Sequence, residues 1–337
     1  MVSTSISFLG KSKTQSAHLL RLRNTLNDLQ RQIATQKKTD TMSGLGRDAV
    51  RAQNLRTDLK NMKSYVTNIE RSTLKTKIMS ETMTEISRVA QDMASGFLLE
   101  TRSGEVDVDN LRSMAEHHLR YIKELLNTKL HDAHVFAGSD SLTAPFADLP
   151  GLNANIQAEF TDWLAGGQTP QQLLDNVDAL TGTALGQSQS LGSAGQVIAK
   201  IDDGLEIDLT VKADHPAIED IVRGLALAAN MQFPDPAVDT ATAEEFFIIF
   251  EAITQKLGNA AHELNRENNK LVTNTILMEN VKTRHQSDRE IMLNVLNDIE
   301  DIDTAEAVIK LQALETQLIA SFETTRLANQ LSLVNFL

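Results

Sequence analysis

The chain has 337 residues, 41% of them hydrophobic but only 4% aromatic, and a formal net charge of −13. A globular apolar fraction with so few rings suits a helical protein better than a β-sandwich. The absence of cysteine excludes disulfide scaffolds, thiolate zinc sites and cysteine nucleophiles.

The charge is uneven. Residues 1–80 carry 15 Lys/Arg against 5 Asp/Glu, whereas residues 286–337 carry 3 against 9. Opposite signs at the two ends predict that the ends meet. Nucleic-acid binding is not expected, because the basic residues are dispersed and Lys37-Lys38 is their only adjacent pair. No apolar run reaches the ~18 residues of a membrane span. No apolar h-region follows Met1, so no cleaved secretory signal is expected.

All six prolines lie between 145 and 236, leaving a long proline-free arm on each side. In the first arm, Leu19, Leu22, Leu26, Leu29 and Ile33 fall at spacings of 3 and 4, a heptad seam. A helix over about Ser5–Lys38 should break at Thr41-Met-Ser-Gly-Leu-Gly46, where two glycines fall together. A second helix is predicted from Arg47 to about Ser95, with Ala52, Leu55, Leu59, Met62, Val66 and Ile69 in 3-4 phase. Gly96 and Gly104 mark the next turn, and a third helix is predicted over about Val108–Leu130.

Composition changes at Gly138: residues 138–204 hold nine of the 16 glycines. Ile156, Ala158 and Phe160 alternate with polar residues and predict a strand, and two or three further short strands are expected over 140–195. Leu205, Ile207, Leu209, Val211 and Ala213 alternate more clearly. They follow Val197–Ile201 across Asp202-Asp-Gly204, which predicts a hairpin. Helix returns at Pro216, a suitable first-turn residue. Thr242-Ala-Glu-Glu245 has the form of a capping box and opens a long helix to about Asn297. Asp303-Thr-Ala-Glu306 reads as another cap, before a last helix carrying Leu311, Leu314, Leu318, Phe322, Leu327, Leu331 and Val334. Polar Ser12, Gln15 and Thr325 sit at seam-like positions. The expected fold is mainly α: paired N- and C-terminal helices in a coiled coil, a long helical bundle, and a small strand-rich insert. The corresponding divisions are 1–45 and 301–337 for the arms, 46–137 and 215–300 for the rod, and 138–214 for the insert.

Candidate chemistry does not assemble. His117 and His118 are adjacent on a predicted helix and point about 100° apart. His131 and His134 are spaced for a shared ligand, but no second pair completes a metal site. His262-Glu263 begins a zincin motif that Arg266 breaks. Ser43-Gly-Leu-Gly46 follows no strand, and Gly192-Ser-Ala-Gly195 lacks a nucleophile-elbow register. Asp298, Glu300, Asp301 and Asp303 resemble a calcium loop only in charge. No enzyme, cofactor or metal is expected. What remains is the pair of heptad arms, either a coiled-coil tether or termini that polymerise.

Several segments resemble the flagellin superfamily. Leu331-Ser-Leu-Val-Asn-Phe-Leu337 is similar to its terminal segment, and Gln317-Leu-Ile-Ala-Ser-Phe322 to the stretch before it. His134-Val-Phe-Ala-Gly138 followed by Ala144-Pro-Phe146 resembles the passage leaving the third helix in the hook-associated branch. Asp202-Asp-Gly204 through Ala213-Asp-His-Pro-Ala217, and Gly224-Leu-Ala-Leu-Ala228, are also similar to shared segments. The family's N-P-x-D-D stretch after the first helix is replaced here by Thr39–Gly46. The resemblance implies terminal helices lining the inner tube of an axial assembly, with the insert facing outward. It implies an extracellular structural subunit at the junction of hook and filament, exported through the flagellar type III apparatus without a cleaved signal. Its implied partners are copies of itself in a ring, neighbouring hook-associated and flagellin subunits, and an export chaperone. A filament flagellin is the nearest alternative and a generic tether a remoter one. The seam residues Leu19, Leu22, Leu26, Leu29, Ile33, Leu311, Leu314, Leu318, Phe322, Leu327, Leu331 and Val334 would carry assembly.

Overall fold

The computed structural model describes residues 2–103 and 106–334, with side chains over 13–100 and 106–327. It is mainly α-helical. The helices are α1 (Val2–Thr35), α2 (Ala49–Ser103), α3 (Val108–Leu126), α4 (Leu149–Leu164), α5 (Pro170–Asp178), α6 (Pro216–Asn230), α7 (Ala243–Glu300) and α8 (Thr304–Val334). Two antiparallel hairpins join them: β1 (Lys129–Leu130) with β2 (Ala133–His134), and β3 (Ile198–Asp202) with β4 (Leu205–Asp208). The chain divides into two compact units, residues 1–63 with 286–337, and residues 64–285.

Local signals set most helix ends. Thr242 and Glu245 form the expected reciprocal box, with backbone-to-side-chain hydrogen bonds of 2.9 and 3.3 Å. Asp303 Oδ1 accepts from Ala305 and Glu306 N at the start of α8. The first helix stops at Thr35 because Gln36 turns to φ 58°, and a 3-10 turn over Met42–Asp48 ends at α2. The second helix does not end near Ser95. It continues through Gly96, because Phe97 is fully buried and packs at a tilt on Phe250, ring centres 4.5 Å apart, outweighing about 1 kcal/mol of glycine propensity. The third ends at Leu126 rather than Leu130. Asn127 leaves the helix to bracket the backbone of Phe146, donating to its carbonyl at 2.8 Å and accepting from its N–H at 3.0 Å.

The strand expected at Ile156–Phe160 is instead part of α4. Asp148 caps it by accepting from Gly151 N, Pro150 sits in the first turn, and Leu152, Ile156, Phe160 and Trp163 are buried one helical turn apart. The period-2 alternation there was a fragment of a 3.6 stripe. The further strands expected over 140–195 are likewise replaced by helix and turns. Among the described residues that segment pairs only through an isolated bridge, Phe146 with Gln187.

Within unit 64–285, α6 is buried nearly all round, from Ala217 to Ala229. It packs on α3, α4 and α5, and one hydrophobic core joins it to Leu119 and Ile122 of α3, Phe160 of α4, Leu173 of α5, Met83 and Ile86 of α2, and Phe250 and Ile253 of α7. Gly224 permits the closest approach: a Cβ there would stand 2.8 Å from Leu257 Cδ2. The β3–β4 hairpin turns at Gly204 (φ 72°) and lays Ala199, Ile201, Ile207 and Leu209 on Ile69, Met278 and Val281. Arg284 pairs with Asp202 at 2.5 Å. Buried His285 meets the Ile201 carbonyl at 2.8 Å; a carbonyl only accepts, so Nε2 carries the proton.

Candidate assembly interface

In unit 1–63 with 286–337, α1 runs antiparallel to α8. Contacts at both ends of the pair fix the register: Gln15 Nε2 donates to Thr325 Oγ1 at 2.9 Å, and Lys37 bridges Asp301 backbone to backbone. Between these points Leu22 is buried, and Leu19, Leu26, Leu29 and Ile33 are half-buried. On α8, Ala307 is buried and Leu311, Leu314 and Leu318 are half-buried.

Beyond Leu318 the expected seam and the observed one part. Phe322 is 60% exposed and Leu327 50% exposed, while Ser321 and Thr325 turn inward. The reason is phase. Ala307, Leu311, Leu314, Leu318, Ser321 and Thr325 keep strict 4-3 spacing, and Phe322 and Leu327 do not. Carrying the spacing forward from Leu318, instead of following the large residues, locates Ser321. The side chains of Ser12, Leu331 and Val334 lie outside the described residues.

Outside the seam positions α8 also exposes large apolar side chains: Val308, Ile309, Ile319, Phe322 and Leu327. Large apolar side chains left exposed outside a helix's seam mark surface suited to a further contact. Outward α1 is polar by comparison, with Leu20 its exposed large apolar residue among those described.

A polar knot closes the turn end of the pair. Lys38 N donates to Glu300 O at 2.7 Å and Ile302 N to Gln36 O at 3.2 Å, so the two connecting segments pair like short strands. Lys38 Nζ reaches the Asp298 and Ile299 carbonyls at 2.6 and 2.8 Å, satisfying the open end of α7 where a cation is favoured. The carboxylate of Glu300, 9% exposed, takes Lys37 at 3.4 Å and Arg56 at 2.7 Å. Lys37 also binds Asp301 at 2.5 Å, and that hydrogen bond, against some desolvation, holds its ammonium pKa above the ordinary lysine value. The ends thus meet as the charges predicted, but not by a charge ladder. Among the described residues no ion pair joins α1 to α8, and the ion pairs between segments 1–63 and 286–337 gather at the knot.

Among the described residues no cluster of three His, Asp or Glu is arranged to hold a metal. His134 Nδ1 instead meets the Asn127 carbonyl at 2.8 Å, and His131 occupies the β1–β2 turn at φ 56°. No helix among the described residues is long and apolar enough to cross a membrane.

No family model matches the chain, and no curated protein matches it. Among solved structures it is similar to a Vibrio parahaemolyticus chain assigned as a flagellar hook-associated protein. That match has 12% identity and a TM-score of 0.51, over 75% of this chain and 97% of the other. A second match, FlgL of Bacillus cereus, has 12% identity and a TM-score of 0.46, over 73% and 98%. At such identity the likeness is one of fold.

Proposed function

We propose that this chain is a structural, non-enzymatic subunit of the bacterial flagellum, placed between hook and filament and held there by its terminal helices. The observation that carries the reading is α8, which besides the seam that meets α1 leaves Ile309, Ile319, Phe322 and Leu327 exposed among the described residues. A second copy in a ring, or a neighbouring hook-associated or flagellin subunit, would cover those side chains. Support also comes from the fold shared with the Vibrio chain and from the terminal segments that resemble the flagellin superfamily. On this reading the chain is exported through the type III apparatus with the help of a chaperone and works outside the cell. The seam residues of both arms, Leu331 and Val334 included, then serve assembly.

A fluorescently tagged copy expressed in the native bacterium tests it. A single focus at the distal end of each hook is expected, and deleting the gene should leave hooks without filaments. Label along the whole filament would instead make the chain a filament flagellin, and label elsewhere would end the flagellar reading.

A further inference from the structure

At the end of unit 64–285 where α3 and α7 begin lies an open groove of about 560 Å³, with Val106, Val108, Arg112, Phe233 and Phe247 in its lining. Phe233 and Phe247 are 48% and 43% exposed, yet both are braced on buried Phe246, at ring distances of 5.0 and 5.7 Å. Ile248, one residue further on, is also exposed. Aromatic rings held firmly at a surface mark a contact site. The rim is acidic. Asp109 is almost fully exposed on the lip, in a loose 3.9 Å ion pair with Arg112 of the lining, and exposed Glu244 stands one helical turn before Phe247. The chemistry that fits is an apolar side chain flanked by cations.

The chain itself carries such a feature. Arg47 lies at the end of the 3-10 turn that leads into α2, Val50 and Arg51 lie in the first turn of α2, and all three are exposed. Val50 is 70% exposed. Arg56 nearby is committed to Glu300, whereas neither Arg47 nor Arg51 has a hydrogen-bond or ion-pair partner among the described residues. We propose that the groove docks the Arg47–Val50–Arg51 segment of a second copy, with the arginines against Asp109 and Glu244 and Val50 against Phe247. The two surfaces differ, so the contact is heterologous and repeats from copy to copy instead of closing on a pair. It rests on the self-association proposed above but does not use α8.

Sedimentation of the full chain tests it through a charge swap. Wild-type self-association should weaken about tenfold or more between about 50 and 300 mM salt. Asp109→Lys with Glu244→Lys gives one variant, and Arg47→Asp with Arg51→Asp another. Each alone should be monomeric, and an equimolar mixture should associate to within about threefold of wild type. Wild-type association by either variant alone overturns the contact. So does a mixture that stays monomeric while both variants melt like wild type, or a wild-type chain that is itself monomeric at low salt. Ile319→Asp with Phe322→Asp separates the two readings. If that α8 variant still incorporates at the hook, the proposed function of α8 fails while the groove stands. Loss of the charge-swap rescue removes the groove alone.

Discussion

The two compact units of this chain differ in how much of their own apolar surface they cover. Unit 64–285 buries Phe97, Phe136, Phe160, Trp163 and Phe246 almost completely, around a helix that sees little solvent. Unit 1–63 with 286–337 fully buries only Leu22, Ala52, Leu296 and Ala307 among its described hydrophobic side chains. Burying a leucine contributes about 1.5–3 kcal/mol, while ordering one residue's backbone costs about 1–2 kcal/mol. The first unit meets that cost from its own core. The second presents a heptad pattern on two long helices with few fully buried side chains, and on the function proposed above neighbouring subunits supply the rest. A fold can therefore be specified in one chain and stabilised by several.

The sharpest way to break this comparison is to charge the seam. Leu26→Asp or Leu318→Asp should abolish incorporation into the flagellum while leaving the melting of unit 64–285 within about 0.5 kcal/mol of wild type. Normal motility and assembly in either variant would detach the seam from function. A graded version compares truncations in the purified chain. Phe250→Ala should cost about 3–5 kcal/mol in urea unfolding, and Leu26→Ala less than about 1 kcal/mol. Limited proteolysis of the same sample should cut within 13–38 and 304–327 before it cuts 64–285. Arms that resist as long as the core would show the second unit to be self-sufficient.

The smallest effect is a pH dependence confined to the self-sufficient unit. His215 caps α6 through Nδ1, which accepts from Ala217 N at 3.3 Å and must stay unprotonated to do so. Burial pushes its pKa down. Glu267, Asp214 and Glu219 oppose that shift and Lys270 adds to it, and burial outweighs them. The unfolded chain therefore takes the proton first. This contribution is complete above about pH 6.5 and is lost as pH falls through the lower folded pKa. His215→Asn keeps a capping side chain and should flatten the stability slope between about pH 7.5 and 5.5 by roughly 1 kcal/mol or less. An unchanged slope would place the titration elsewhere.

Phe322 shows why part of the interface was hidden in the sequence. It is large and apolar and follows Leu318 by four residues, so on chemistry alone it belongs to the seam. Its phase decides otherwise: the 4-3 spacing places Ser321 and Thr325 inward, where Gln15 of α1 donates to Thr325, and the ring is turned outward. The groove at Phe247 was not legible either. It joins the start of α3, the loop after α6 and the start of α7, which are far apart in the chain.

What the sequence determined by itself is what depends on neighbours a few residues apart. The heptad phase from Leu19 to Ile33, the Thr242–Glu245 box, the Asp303 cap and the turn at Gly204 all belong there, because their energetics close within one or two turns of chain. Only the tertiary structure decided that Ile156 and Phe160 belong to a helix. It also decided that Lys37, Lys38, Arg56 and Glu300 share one knot, and that Ile319, Phe322 and Leu327 of α8 stay exposed. Those outcomes depend on which distant surfaces come together, and burial against a distant surface outweighs the few tenths of a kcal/mol by which local propensity separates helix from strand.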